Sequence, residues 1–93
     1  MKAIWKGATI AESNDTVVVE GNYYFPMSTV NMEYMKSSDA TMVCFWKGVV
    51  SYYSINVGGE LNTDAAWYYP EPKKAAKNIQ KHIAFWRGVE IVE

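Results

Sequence analysis

The 93-residue chain has little of what marks a disulfide-bonded, metal-binding or nucleic-acid-binding protein. One cysteine, Cys44, and one histidine, His82, exclude an internal disulfide and offer no cysteine and histidine cluster for zinc. Nine Lys and Arg against ten Asp and Glu give a net charge of -1, too little to attract a phosphate backbone. No run approaches the ~20 apolar residues of a membrane helix, and residues 1–7 lack a signal-peptide pattern. We therefore expect a cytoplasmic protein without metal, cofactor, nucleic-acid partner or membrane partner.

Aromatic residues are abundant instead. Hydrophobic residues make up 49% of the chain and aromatic residues 15%, including four Trp and seven Tyr. That apolar content is too high for a disordered chain, and a chain of this length builds one hydrophobic core. The composition predicts a single folded domain over residues 1–93.

Short β-strands are predicted along the first quarter of the chain. Residues 2–5 and 8–13 have strand character on either side of Gly7, and a β-branched run follows at residues 16–20. Asn14-Asp15 between the last two runs predicts a hairpin that would place Glu12 beside Val17 and Ala11 beside Val18. A second turn is expected at Gly21-Asn22, followed by a strand that stops at Pro26.

The clearest turn signal is Gly58-Gly59, because both central positions of a type I′ turn need a positive φ. It predicts a hairpin of two long strands, with Val57 opposite Glu60, Tyr53 opposite Asp64, Tyr52 opposite Ala65 and Val50 opposite Trp67. In that register, four side chains share one face of the sheet, namely Val50, Tyr52, Ala65 and Trp67.

Two short helices complete the prediction. One covers residues 28–35 with Ser28 or Thr29 as its cap, and the other begins near Pro72 with an apolar stripe of Ala75, Ala76 and Ile79. The four lysines of the second helix are expected to be solvated, and residues 82–86 and 89–92 to form a strand pair or one bent strand. The predicted fold is a mainly β single domain, a compact antiparallel two-sheet β-tent or barrel.

A tryptophan, a cation and a glycine occur together three times, as Trp5-Lys6-Gly7, Trp46-Lys47-Gly48 and Trp86-Arg87-Gly88. The intervening segments do not match one another, so the chain is not a repeat protein. One interpretation is a structural corner, with the indole covered and the cation in water. The other has Lys6, Lys47 and Arg87 converging on an anionic ligand.

Longer segments carry a family resemblance. Residues 44–48 (Cys-Phe-Trp-Lys-Gly), 66–72 (Ala-Trp-Tyr-Tyr-Pro-Glu-Pro) and 82–86 (His-Ile-Ala-Phe-Trp), with Trp5-Lys6-Gly7 and residues 21–26, resemble a widespread, mostly bacterial family known as domain of unknown function 427. The resemblance covers nearly the whole chain. It implies a β-rich fold similar to the β-tent of small zinc proteins, without their metal-binding cysteines, and it implies no established activity.

The family sometimes carries a nucleotidyltransferase label. Polymerase-type nucleotidyltransferases place a Gly-Ser element before an Asp-x-Asp pair that holds Mg²⁺, and the chain contains neither element. The usual family motif is Cys-Pro-Trp-Lys-Gly, but Phe45 replaces the proline here, which weakens the case for Cys44 as a rigidly presented thiol.

Cys44 and His82 are the candidate catalytic residues, as a thiolate and as an acid or base. Each also has a structural explanation, since free cysteines are often buried and a histidine at a helix end is stabilised by the dipole. The candidate site is a small-molecule cleft, with His82 and either Arg87 or Lys6 close by. Its predicted ligand-binding residues are Trp46, Lys47, Tyr52, Trp67, Tyr69 and Arg87.

Three functions remain open at this point: a ligand-binding and possibly enzymatic domain, a protein-interaction module without catalysis, and a nucleotidyltransferase. An exposed aromatic patch without a pocket would favour the interaction module. The sequence does not distinguish a monomer from a homodimer.

Overall fold

Nine strands account for most of residues 1–93, all of which the computed structural model describes. In chain order the strands are β1 (Lys2–Trp5), β2 (Ala8–Glu12), β3 (Val17–Val19), β4 (Asn22–Pro26), β5 (Met35–Cys44), β6 (Gly48–Val57), β7 (Glu60–Tyr68), β8 (His82–Phe85) and β9 (Glu90–Val92). They form a three-stranded sheet in the order β2-β1-β9 and a six-stranded sheet in the order β3-β4-β8-β7-β6-β5. Every pairing is antiparallel, so the prediction of a mainly β, two-sheet domain is confirmed.

The predicted hairpin at Asn14-Asp15 is wrong. Strand β2 pairs with β1 in the small sheet, whereas β3 pairs with β4 in the large one. The reason is a competing turn at Glu20-Gly21, where φ values of +54° and +79° meet the requirement of a type I′ turn and close the β3–β4 hairpin. Residues 13–16 therefore carry the chain from one sheet to the other.

The Gly58-Gly59 hairpin has the predicted register only near its turn. Val57 lies opposite Glu60 and Ile55 opposite Asn62, but an irregularity follows, and Tyr52 lies opposite Trp67 instead of Ala65. Asp64 has a φ of +53° there, and its N–H donates to Ser54 Oγ at 3.0 Å. Because the shift is two residues, Tyr52 and Trp67 stay on the same face as predicted, but Ala65 packs with Phe25 on the other face, so that part of the prediction is wrong.

Neither predicted helix forms an α-helix. Residues 27–34 form two single-turn 3-10 helices, Met27–Thr29 and Met32–Tyr34, neither with a side-chain cap, and β5 follows directly at Met35. The third 3-10 helix, Lys74–Ile79, is kinked at Ala76. Ala76 and Ile79 are buried but Ala75 is exposed, since three residues per turn leave only positions i and i+3 on one side.

The last two strands belong to different sheets. Strand β8 pairs with β4 and β7, whereas β9 pairs with β1, so the predicted direct pairing of the two segments is wrong. Between them, Val89 N–H donates to Trp86 O, and Arg87 and Gly88 both have positive φ. This tight turn links the two sheets.

Two hydrophobic cores lie on opposite faces of the large sheet. The first, around Phe25, Ile55 and Ile83, packs against the small sheet. The second, around Tyr24, Tyr69 and Ile79, is covered by the Lys74–Ile79 segment. The radius of gyration is 12.4 Å, close to the ~12 Å expected of a folded domain of this length. No helix has the length and apolar character to cross a membrane.

Candidate functional site

A pocket of about 300 Å³ opens on the face of the large sheet that carries the second core. Strand alternation places its walls: Tyr24 of β4, Tyr52 of β6 and Trp67 of β7 point to this face, whereas the next residue of each strand, Phe25, Tyr53 and Tyr68, packs in the first core. The lining residues are Asn22, Tyr24, Lys47, Val50, Tyr52, Trp67, Tyr69 and Trp86.

Five of these eight residues are aromatic, and they hold one another in position. Trp67 Nε1–H donates to the Tyr24 hydroxyl at 3.1 Å, and the two rings meet edge to face with centroids 6.1 Å apart. The Trp86 ring also meets Trp67 edge to face, with centroids 5.6 Å apart, and its Nε1–H donates to Asp64 O at 2.6 Å. The aromatic wall is therefore fixed by hydrogen bonds and ring contacts without a ligand.

Lys47 is the only cation among the lining residues, and it is only 6% exposed. Its ammonium donates to a carboxylate oxygen of Glu20 in the β3–β4 turn. The same ammonium lies 5.1 Å from the ring centroid of Trp46 and 5.5 Å from that of Tyr69. Aromatic rings and one carboxylate thus replace the water that a buried lysine loses.

Backbone geometry directs Lys47 inward. Gly48 has a φ of +116°, and a Cβ at this position would lie 3.2 Å from Glu71 O. The backbone at Glu71–Lys73 can therefore pass close to β6, where Lys73 N–H donates to Lys47 O at 2.8 Å. Only glycine combines that φ with such a close approach, so Gly48 is part of what positions the lysine.

The surroundings of Lys47 and Glu20 keep both side chains charged. The hydrogen bond from Lys47 holds the pKa of Glu20 below its usual value of 4.5. Burial alone would lower the pKa of Lys47, but the hydrogen bond to Glu20 and the nearby Tyr24 and Tyr69 outweigh it and raise the pKa. Burial also raises the pKa of Tyr69 to about 12. At neutral pH the pocket therefore contains an ammonium and a neutral phenol.

These shifts predict how Glu20→Gln changes the pH dependence of stability. The lowered pKa of Glu20 stabilises the fold above 4.5, and that contribution is lost as the pH falls through the folded-state value. We expect Glu20→Gln to melt at a lower temperature than the wild type at neutral pH, and the difference to shrink in acid. Thermal denaturation across this range measures it.

Glu60→Gln is the matched control, because Glu60 pairs with Lys6 at 3.9 Å between exposed side chains. This variant should melt like the wild type at every pH. A Glu20→Gln variant that also melts like the wild type at neutral pH would contradict the stabilising role of the Lys47–Glu20 pair.

The structure brings together four of the six predicted ligand-binding residues. Lys47, Tyr52, Trp67 and Tyr69 line the pocket. Trp46 does not line it but covers the Lys47 ammonium from outside. Arg87 does not line it either: its guanidinium lies over the ring of the lining residue Trp86 and donates to Thr63 O. Ligand binding by these side chains stays a prediction.

The two candidate catalytic residues do not line the pocket. Cys44 is a free, half-buried thiol that packs at the margin of the second core. His82 Nδ1 lies 2.7 Å from Gln80 O, close to the end of the Lys74–Ile79 segment. No hydrogen bond joins Cys44 to His82, so the structure does not pair the two candidate residues.

The three tryptophan motifs do not converge on one point. Lys6 pairs with Glu60, Arg87 contacts Thr63, and only Lys47 enters the pocket. In the first and third motifs both the cation and the glycine have positive φ and form an exposed turn. In the second only Gly48 does, and its lysine is buried. The cation therefore lies in water in two of the three motifs, as the corner interpretation predicts, although the Trp86 indole is 42% exposed.

Four lining residues were not predicted: Asn22, Tyr24, Val50 and Trp86. Tyr24 could have been inferred from alternation in β4, because Asn22 and Tyr24 must share a face. Trp86 could not, because it follows β8 and its position depends on the hydrogen bond to Asp64 O.

The fold and the pocket define a class, the small two-sheet β domains with an aromatic pocket and a buried lysine. Within this class, the chain belongs to the family described as domain of unknown function DUF427, whose model carries the label NTP_transf_9 and matches residues 1–93. The resemblance found in the sequence is thereby confirmed. No curated protein matches the chain.

The family label raises the question of a metal-bound nucleoside triphosphate, and the residues do not fit one. Such a site needs carboxylates that converge on Mg²⁺. The structure contains no group of three or more His, Cys, Asp or Glu side chains that could hold a metal ion. Glu20, the carboxylate at the pocket, is engaged by Lys47.

Proposed function

We propose that the protein binds a small planar molecule that carries a carboxylate, with the ring against the aromatic wall and the carboxylate on Lys47. The observation that carries this proposal is a lysine only 6% exposed in the wall of an otherwise apolar and aromatic pocket. Ligand pockets are commonly apolar cavities of roughly 300–1,000 Å³ with a few placed polar groups. At about 300 Å³ this pocket suits a ligand of one or two rings.

The aromatic wall favours a flat ligand. Tyr24, Trp67 and Trp86 are locked in edge-to-face contacts, so a ring that enters meets aromatic faces without reordering them. A preformed wall avoids the entropy cost of fixing side chains when a ligand binds. A flexible aliphatic ligand gains less, because it makes no ring contacts and loses its own freedom.

The lysine decides the charge of the ligand. An aromatic pocket usually attracts cations, but here the Lys47 ammonium already lies over the Tyr69 ring. A second cation would be repelled by it. The ammonium has three N–H groups and donates to one side-chain acceptor, Glu20, which leaves it able to donate to a ligand oxygen. A carboxylate gains most, because hydrogen bonds between charged groups are the strong ones.

The proposed activity is binding rather than catalysis. The pocket lining includes neither Cys44 nor His82, and Lys47 is held as a charged ammonium, which is not nucleophilic. The nucleotidyltransferase alternative lacks a converging set of carboxylates. An exposed aromatic patch without a pocket would favour the interaction-module alternative, and the large sheet carries a pocket.

Paired acids and amides of the same ring test the proposal: benzoate with benzamide, nicotinate with nicotinamide, and indole-3-acetate with indole-3-acetamide. We expect at least one acid to bind more tightly than its amide in calorimetry. At a concentration of 100 Kd it should add ~2.7 kcal/mol to the free energy of unfolding and raise the melting temperature by several degrees.

Lys47→Met should weaken binding of the acid by roughly ten- to a hundredfold and leave binding of the amide unchanged. The factor follows from the loss of a hydrogen bond between charged groups, which contributes about 1.5–3 kcal/mol. Lys77→Met is the matched control, because Lys77 is exposed and does not line the pocket. Equal affinity of every acid and its amide, or acid binding unchanged by Lys47→Met, would refute the proposal.

A further inference from the structure

A cluster of exposed apolar side chains lies at the end of the β5–β6 hairpin, and none of them lines the pocket. Phe45 is 92% exposed, Val43 72%, Met42 62%, Val49 50% and Trp46 41%. We call these five residues the apolar tip. They are concentrated within residues 42–49, and such a concentration of exposed apolar surface usually marks an interaction site.

The apolar tip is exposed on both faces of its hairpin. Met42 and Val43 are consecutive residues of β5, so their side chains point to opposite faces of the sheet, yet both are more than half exposed. Val49, opposite Val43 on β6, is exposed as well. A flat protein surface would cover one face only. A fluid apolar phase can surround the whole tip.

Positive charge lies beside the apolar tip. Lys73 Nζ–H donates to Phe45 O at 2.6 Å, which fixes one ammonium at the turn. Lys74 and Lys77 follow along the chain, and both side chains are exposed. The single nearby carboxylate in that stretch of sequence is Glu71, so residues 71–77 carry a net charge of +2 (three Lys minus one Glu) although the whole chain carries -1.

From these observations we infer that the apolar tip inserts into the surface of an anionic lipid bilayer, with Lys73, Lys74 and Lys77 against the lipid headgroups. Aromatic and aliphatic side chains rimmed by lysines are the composition that binds at a membrane interface. This surface docking differs from membrane spanning, and it departs from our sequence-based expectation of no membrane partner. It does not depend on the proposed ligand pocket.

Co-sedimentation with lipid vesicles tests the inference directly. The protein should sediment with vesicles of phosphatidylcholine and phosphatidylglycerol but much less with phosphatidylcholine alone, and the Trp fluorescence should shift to shorter wavelength. Phe45→Ser should reduce binding by at least about tenfold without lowering the melting temperature, because so exposed a ring adds little to folding. Lys77→Gln should weaken binding by about fivefold, from ~1 kcal/mol per lysine near an anionic surface.

Leu61→Ser is the matched control, since Leu61 is 54% exposed near the turn of the other long hairpin, β6–β7. It should bind vesicles like the wild type. Failure to sediment with anionic vesicles would overturn the inference, and so would binding that survives Phe45→Ser. A lipid-free dimer that Phe45→Ser dissociates, together with no vesicle binding, would also overturn it and would assign the apolar tip to a second copy of the chain.

Discussion

Phe25→Ala should lower the free energy of unfolding by about 3–5 kcal/mol, the usual cost of truncating a buried phenylalanine. Phe25 is fully buried in the core between the two sheets, and its ring meets Phe85 edge to face at 5.6 Å. It also lies where β4 pairs with β8, opposite Ile83. Truncation would leave a cavity at the centre of the domain. Because the site is fully buried, no exposed side chain can fill that cavity.

Urea denaturation measures this loss, and domains of this kind have only ~5–15 kcal/mol in total. Leu61→Ala provides the comparison, because Leu61 is 54% exposed and its truncation should change stability by no more than about 0.5 kcal/mol. A loss below about 1 kcal/mol for Phe25→Ala would mean that the two sheets do not pack through this residue.

Gly48→Ala should cost about 2–4 kcal/mol of stability and weaken ligand binding as well. Two effects add at this residue: a φ of +116° that alanine rarely adopts, and a Cβ placed 3.2 Å from Glu71 O. Relief of that contact would move either the start of β6 or residues 71–73. Either movement displaces Lys47, whose carbonyl accepts the hydrogen bond from Lys73 N–H.

Gly58→Ala separates the two effects. Gly58 also has a positive φ, +58°, but a Cβ there would meet no atom within 4 Å. Its substitution should cost only about 1–2 kcal/mol and leave the pocket unchanged. The comparison uses urea denaturation for stability and calorimetry with the tightest-binding aromatic acid for affinity. Equal losses at the two glycines would show that the close approach at Gly48 does not matter.

The strands were predictable because their signals are local. The Gly58-Gly59 turn formed as expected, since two adjacent glycines satisfy a type I′ turn without help from the rest of the chain. The β3 pairing was not predictable in the same way. Asn14-Asp15 and Glu20-Gly21 both offer turns on either side of β3, and the choice depends on which sheet buries Val17 and Val19.

The helix predictions failed for a different reason. Residues 28–35 and the segment that begins near Pro72 have helical spacing, but each is short and bound to distant backbone, the first by Asn31 N–H to Ile10 O and the second by Lys73 N–H to Lys47 O. An α-helix of so few residues is marginal, because its first turn is costly to nucleate. Single turns of 3-10 helix satisfy those hydrogen bonds with fewer residues.

Part of the pocket lining was predictable from the types of residue that recur in the sequence. Lys47, Tyr52 and Trp67 were predicted from aromatic and cationic residues that recur along the chain, and they do line one cavity. The sequence could not distinguish Lys47 from Lys6 and Arg87, because all three occupy the same motif. The difference arises from the crossing of residues 71–73 at Gly48, a contact between segments far apart in the sequence.

The four tryptophans allow a direct test of the proposed binding site by NMR, because each gives one indole N–H signal. Trp67 and Trp86 line the pocket and Trp5 does not. On titration with the tightest-binding aromatic carboxylate, we predict that the Trp67 and Trp86 signals shift while the Trp5 signal stays in place, and that Lys47→Met abolishes the shifts at the same concentration. Saturating binding that leaves the Trp67 and Trp86 signals unmoved would contradict the assignment of this pocket as the ligand site.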